Sequence, residues 1–443
     1  MRPYIPHTEQ DERQMLQTIG VHTIDELFQD IPANLRIQGE LDTLGSLDEH
    51  RLLGKLFELS RENKNCLSDL VCFLGAGMYD RYIPATVGAM ISRGEFLTAY
   101  TPYQPEFSQG YLQTIFEFQT MIAELYGCDI ANASMYDGGT AMAEAAILAY
   151  GLNGRTQIAV SEGVHPHYRQ VLETYCWSMG LTVLTIPTTG FESNDWSLLT
   201  EECACLILQT PNFFGTIEDV ELARKAADRA GCMLIAVSDP IACALIEPPG
   251  KLGADIVVGE GQPLGIAMGF GGPALGLFAC REEFVRRIPG RIVGRTNDAN
   301  NNPGYVMTLR TREQDIRREK ATSNICTNEA LMALAATVYL SSVGRVGLQQ
   351  IAESSVRNTQ YAMQAFTAAG ARVVNNGRVF CEFVLDVGRD AVQVRDALMA
   401  QGFLAGLPLG DYVSDGKDYL LVAVTETRSK EQIDSFVAAL KGV

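Results

Sequence analysis

ACLILQT (204–210), MLIAVS (233–238) and ADIVVG (254–259) decide the fold. Each run is short, apolar and bounded by polar or turn residues, which suits a strand buried on both faces. QIAVS (157–161) and TVLTI (182–186) precede them, and ALGLFAC (274–280) follows. Helical patterns fall between several of these runs, at 166–178 and 219–230. β-rich runs alternating with helices predict a large, mostly parallel sheet with helices on both faces. A glycine-rich stretch, 259–276, interrupts the alternation.

Working outward, residues 113–126 predict an amphipathic helix closed by Gly127. The chain before it, FLGAGMYDRYIP (73–84) and AYTPYQPEFSQG (99–110), is rich in Gly, Pro and Tyr. Long ordered loops of this kind usually serve a site or an interface. The first 60 residues read as helices, with capping-box pairs Thr8/Asp11, Thr23/Glu26 and Ser46/Glu49. Residues 281–325 read as basic and irregular, and a long helical pattern covers 326–368 with a break near Gly344. RVFCEFVLDV, DAVQVRDALMAQ, DYLLVAVTE and SKEQIDSFVAALK then give strand, helix, strand, helix. The expected organisation is a helical arm (1–65), a large α/β domain (66–340) and a small C-terminal α+β domain (341–443).

The net charge of −18 disfavours nucleic acid and anionic membrane surfaces as partners. Eleven cysteines, none in CxxC spacing, and five histidines assemble no metal set. Reduced thiols in a cytoplasmic protein are the economical expectation. MRPYIPHTEQDERQ has no apolar core of a secretory signal, and no apolar run of about 18 residues is present.

YTPYQPEFSQG (100–110), ANASMYDGGTAMAEA (131–145), GEGQPLG (259–265) with GFGGPALG (269–276), and RREKATSNICTNEAL (317–331) occur in order along nearly the whole chain. Together they resemble the N-terminal half of the P-protein of the glycine cleavage system. In many bacteria that family is split in two, and this chain resembles the first subunit. The resemblance implies the fold type I plan of pyridoxal 5'-phosphate enzymes, and a glycine dehydrogenase (decarboxylating) activity shared with a second, lysine-bearing subunit. It implies an α2β2 heterotetramer, with lipoylated H-protein accepting the aminomethyl group on its lipoamide.

In that plan the Schiff-base lysine follows the strand that here reads ADIVVG. Gln262 and Pro263 stand near that place, and no lysine occurs between Lys251 and Lys320. Gln262 has no amine nucleophile. A misplaced loop, with Lys251 or Lys320 serving instead, is the competing reading. Asp239 stands where the acid facing the pyridine nitrogen belongs, and a turn with Pro240 accounts for it equally. Asp137, Gly138, Gly139 and Thr140 precede a helix, as a phosphate cradle would. His165, near His167, falls where a ring-stacking histidine arises, and a structural role remains open. These six, without the lysine, read as a vestigial site.

The division of labour implied by the resemblance turns attention to TSNICTN (322–328). Thr322, Ser323, Asn324 and Thr327 are expected to reach the phosphate of the partner's cofactor, Cys326 and Thr327 opening the next helix. An ordinary helix cap by Asn324 or Thr327 is the alternative. Tyr100, Thr101, Tyr103 and Gln104 are expected to wall the substrate pocket, packing of the tyrosines being the alternative. Arg310, Arg312, Arg317 and Arg318 form a basic run for a carrier or partner, or a solvated surface. The rival functions are an independent pyridoxal-phosphate lyase or aminotransferase, and a scaffold that never touches the cofactor.

Overall fold

The structure, a computed structural model, describes residues 6–443 apart from 38, 40, 44, 67, 99 and 270. The chain divides into two compact units, 1–64 and 65–443.

The first unit is helical. Glu9–Ile19 opens with the expected capping box: the Thr8 hydroxyl accepts from the Asp11 N–H, and the Asp11 carboxylate accepts from the Thr8 N–H. Thr23 opens a 3-10 turn, Ile24–Phe28, and its hydroxyl donates to Glu26. The helix Glu49–Ser60 is capped by Asp48 rather than Ser46. A carboxylate at the cap meets both the free N–H groups and the positive helix end.

The second unit carries seven strands in one sheet: β1 Ile130–Ala131, β2 Gln157–Ser161, β3 Thr182–Ile186, β4 Cys203–Thr210, β5 Met233–Ser238, β6 Ile256–Glu260 and β7 Gly276–Cys280. Their order is β1-β7-β6-β5-β4-β2-β3. β3 through β6 run parallel, while β7 and β1 pair antiparallel at one edge. Side chains alternate between the sheet's two faces. Val160, Ile207, Ile235 and Val258 pack with the alanine-rich helix Gly138–Asn153. Leu206, Leu234, Ala236 and Val257 pack with the helices Gln109–Tyr126 and Val220–Ala230. The carboxyl ends of β2, β4, β5 and β6 converge where the strand order reverses, the usual place for a ligand in such sheets.

The stretch 281–325 holds structure that its composition conceals. Ile292–Asn297 and Pro303–Thr308 form an antiparallel hairpin, with Asp298 accepting from the N–H groups of Asn300 and Asn302 in the turn. Glycine and proline break the alternation, so no strand signal reaches the sequence. The helix Ala330–Ala368 bends at Gly344 (φ 59°, ψ −178°). By length and composition it would span a membrane, but Ala333, Ala336 and Tyr339 are buried in the large core. A four-stranded antiparallel sheet follows, built on Glu382–Asp386 and Tyr419–Ala423. Its own core includes Phe73, Phe366, Phe383 and Phe436.

Candidate functional site

At the carboxyl end of β6, Gln262 is 3% exposed and fully engaged. Its amide donates to the carbonyls of Tyr79 (3.1 Å) and Ile266 (2.8 Å), and its carbonyl accepts from the Tyr79 N–H (3.0 Å). Gln262 is thus a clamp on the segment 75–82. That segment enters the crevice. Its Ala76 N–H and Tyr79 hydroxyl donate to the buried carboxylate of Glu382 at 2.6 and 2.8 Å. Among the described residues no lysine lines the pocket. Lys251 is exposed and pairs with Glu247 at 3.9 Å, and Lys320 lies in an exposed 3-10 turn.

The other residues named from sequence gather around the same segment. His165 accepts from the His167 N–H through Nδ1, so Nε2–H donates to the Ala76 carbonyl at 2.9 Å. Burial pushes its imidazole down to about 4, so it is neutral, and it stacks on Tyr168 with centroids 4.8 Å apart. Asp239 accepts from the N–H groups of Ile241 and Ala242, and lies 3.7 Å from the buried Arg81. Arg81 in turn pairs with Glu426 at 2.8 Å. A protein guanidinium therefore stands beside the acid that would face a pyridinium.

At the start of the helix Gly138–Asn153, Asp137 accepts from the Thr140 N–H at 2.7 Å. The Gly138 N–H donates to Glu260, whose carboxylate also accepts from Gln262 and Leu275. Glu260 occupies the anion's place at that helix end. The packing is tight enough that a Cβ on Gly138 would meet Tyr168 Oη at 2.5 Å. What remains is a cavity of about 50 Å³. That admits a few waters, whereas ligand pockets run to about 300–1,000 Å³. These residues do not fit pyridoxal phosphate.

A second region collects the remaining candidates. Tyr100 and Tyr103 are 81% and 55% exposed, and Gln104 is exposed with Thr101 half-buried. Beneath Tyr103 lies buried Arg291, which donates to the Tyr103 hydroxyl and to the Asn328 side-chain carbonyl, both at 3.2 Å. Asn328 donates to the Ala133 carbonyl at 2.9 Å, and Ser134 accepts from the Glu329 N–H. The Tyr136 hydroxyl accepts from the Cys326 N–H at 3.2 Å. One segment, 132–140, therefore joins the two regions.

The loop 322–328 has no helical cap role. The helix begins at Ala330, three residues after Thr327 and four after Cys326, and no side chain caps it. Asn328 and Glu329 are held by Ala133 and Ser134, and Cys326 and Thr327 lie outside the helix. Ser323 bonds to its own loop at the Ile325 N–H and to Glu144, whose carboxyl burial raises to about 7. Arg310 pairs with Asp315 and lies over the Tyr103 ring, while Arg312 donates to the Ile288 carbonyl. Arg317 and Arg318 are exposed. Sequence reading missed Arg291, Arg81, Glu260 and Glu382. Each lies in a stretch whose composition reads as loop, strand or solvated charge, and their burial has no local signature.

The fold and the crevice define a class: a fold type I pyridoxal-phosphate enzyme scaffold whose crevice is narrow and lined by no lysine among the described residues. Solved structures agree with the fold at low identity. A sphingosine-1-phosphate lyase from Burkholderia pseudomallei covers 93% of this chain and 93% of its own, at TM-score 0.65 and 18% identity. An aspartate aminotransferase from Thermus thermophilus covers 89% and 95%, at TM-score 0.57 and 16% identity.

Closer likeness is specific. The family described as "Glycine cleavage system P-protein" matches residues 2–440. A probable glycine dehydrogenase (decarboxylating) subunit 1 of Lysinibacillus sphaericus is 47% identical over 440 residues, 99% of this chain and 98% of that protein. One of Bacillus cereus is 49% identical over 437 residues, 98% of each. A crystal structure of glycine decarboxylase (P-protein) of the glycine cleavage system, in inhibitor-bound form, is 42% identical and covers 99% of each chain at TM-score 0.89. The chain belongs to the glycine cleavage system P-protein family.

Proposed function

We propose that this chain is the lysine-free subunit of a two-subunit glycine decarboxylase, working in the cytoplasm as half of an α2β2 assembly. The observation that carries the proposal is Gln262, bound into its own backbone where the fold's lysine belongs. A subunit closed in this way has chemical value when a lysine-bearing partner holds the cofactor. Pyridoxal phosphate on that partner supplies the electron sink for loss of CO2 from glycine.

This chain's part is to bind and exclude. Thr322, Ser323, Asn324 and Thr327 offer hydroxyl, amide and backbone donors to the cofactor phosphate. Tyr100, Thr101, Tyr103 and Gln104 wall the glycine pocket and keep water from it. The aminomethyl group then passes to the lipoyl arm of H-protein, whose disulfide is reduced. Support comes from the exposed tyrosines, and from the side chains of Thr322 and Asn324, which make no hydrogen bond among the described residues.

The test is glycine-dependent CO2 release by this chain, by its lysine-bearing partner and by the two mixed. Activity confined to the mixture supports the proposal. A partner that works equally well without this chain would leave it a scaffold, and a single chain that releases CO2 would make it a complete enzyme.

A further inference from the structure

Arg291 is 6% exposed, and its hydrogen bonds go to neutral groups, Tyr103 and Asn328. Among the described residues its Nε has no partner, and neither have Arg310 Nε nor Arg312 Nε and Nη2. Near these three guanidiniums stand two carboxylates: Asp315, bound to Arg310, and Glu313, whose Oε1 is itself buried without a hydrogen-bond partner among the described residues, so three cations face two anions. A buried cation without a full counter-charge is costly, so the cluster retains a demand for negative charge. The direction of the bonds says where that demand is met. Tyr103 Oη accepts from Arg291, so its own O–H points elsewhere, on a ring that is 55% exposed. Arg291 also lies 5.5 Å from the centroid of that ring. Its other amine holds Asn328, and through it the end of the 322–328 loop, against Ala133 and Ser134. The backbone closes the ring, because the Ala133 N–H donates to the Arg291 carbonyl at 2.8 Å.

We propose that Arg291 is a positioning residue that aims the Tyr103 hydroxyl outward as a donor to the substrate's carboxylate, and pins the 322–328 loop to the same point. The inference rests on the function proposed above. It makes one buried side chain the common support of the glycine wall and the phosphate loop.

The test uses the complex with the lysine-bearing subunit and four variants: Arg291→Met, Arg291→Lys, Tyr103→Phe, and Arg291→Met with Tyr103→Phe. KM and kcat for glycine are measured beside pyridoxal-phosphate dissociation, read by absorbance without glycine. Tyr103→Phe raises KM for glycine about 10-fold and leaves cofactor dissociation unchanged. Arg291→Met raises KM at least as much and also weakens cofactor retention, since it frees the second loop. Arg291→Lys recovers part of both. The double variant has a KM within about twofold of Arg291→Met, because the two residues act as a unit. Unchanged KM in Tyr103→Phe, whose exposed ring makes misfolding a poor explanation, overturns the inference, and so do multiplying effects on KM. A wild-type complex that releases no CO2 removes the functional reading and this inference together. An active wild-type complex with a silent Arg291→Met removes this inference alone.

Discussion

The pocket at the ends of β2, β5 and β6 and the loop cluster around Arg291 are built from similar residues, and they end differently. In the pocket, Gln262, His165, Asp239 and Glu260 each find partners inside the chain, and the cavity shrinks to about 50 Å³. In the loop cluster, guanidinium nitrogens lack partners and tyrosines stand exposed. Buried polar groups are normally satisfied. The pocket meets that rule with one exception, Arg81 Nε, and is close to finished as a structure. A region that leaves several open is waiting for something the chain does not contain.

The contrast predicts that damage to the pocket shows in stability and damage to the loops shows in function. The largest effect is expected at Arg81. Arg81→Ala removes a buried guanidinium from half-buried Glu426 and Asp239, and urea unfolding should show a loss of about 3 kcal/mol. A loss below about 1 kcal/mol would mean the ion pairs do not hold the closed pocket.

Next comes the loop. Changing Thr322 and Asn324, whose side chains make no hydrogen bond among the described residues, together to Ala should lower cofactor affinity and glycine turnover of the complex about 100-fold. The unfolding temperature of the isolated chain should stay nearly unchanged. An equal loss of stability would erase the distinction between the two regions.

Acid titration probes the pocket more gently. Burial holds the Glu260 and Glu382 carboxyls up at about 7. In the unfolded chain such groups titrate near about 4.3. Between that value and pH 7 the folded state keeps more protons, so stability is fullest below the window and falls as pH rises through it. The slope is up to about 1.4 kcal/mol per pH unit for each group, and it flattens above pH 7. Glu382→Gln should remove one group's share of that slope, and an unaltered slope would sink the assignment. The smallest effect is expected for Tyr103→Phe on stability, about 1 kcal/mol for the acceptor that Arg291 loses, beside its effect on KM.

The contrast between the regions also explains what the sequence made legible. Strands two to seven were readable because apolar runs such as MLIAVS carry their burial in their composition. The Gly344 break and the Thr8 cap were readable because backbone geometry selects those residue types. The hairpin 292–308 was not, since its pairing is set by partners rather than by pattern. The helix start at Ala330 was hidden for a similar reason: Asn328 and Glu329 are held by Ala133 and Ser134, nearly 200 positions away. In the pocket, the lysine-free stretch around Gln262 was legible in the sequence. The plug was invisible, because Tyr79 and Glu382 meet only across 303 positions of chain.

The most direct measurement is a pyridoxal-phosphate titration of the isolated chain carrying Gln262→Lys, followed by absorbance and borohydride fixation. A closed pocket with Glu260 in the phosphate's place yields no bound cofactor, even with a lysine restored. A coloured chain with borohydride-fixed cofactor would show that the pocket opens, and that this subunit is not committed to its partner's site.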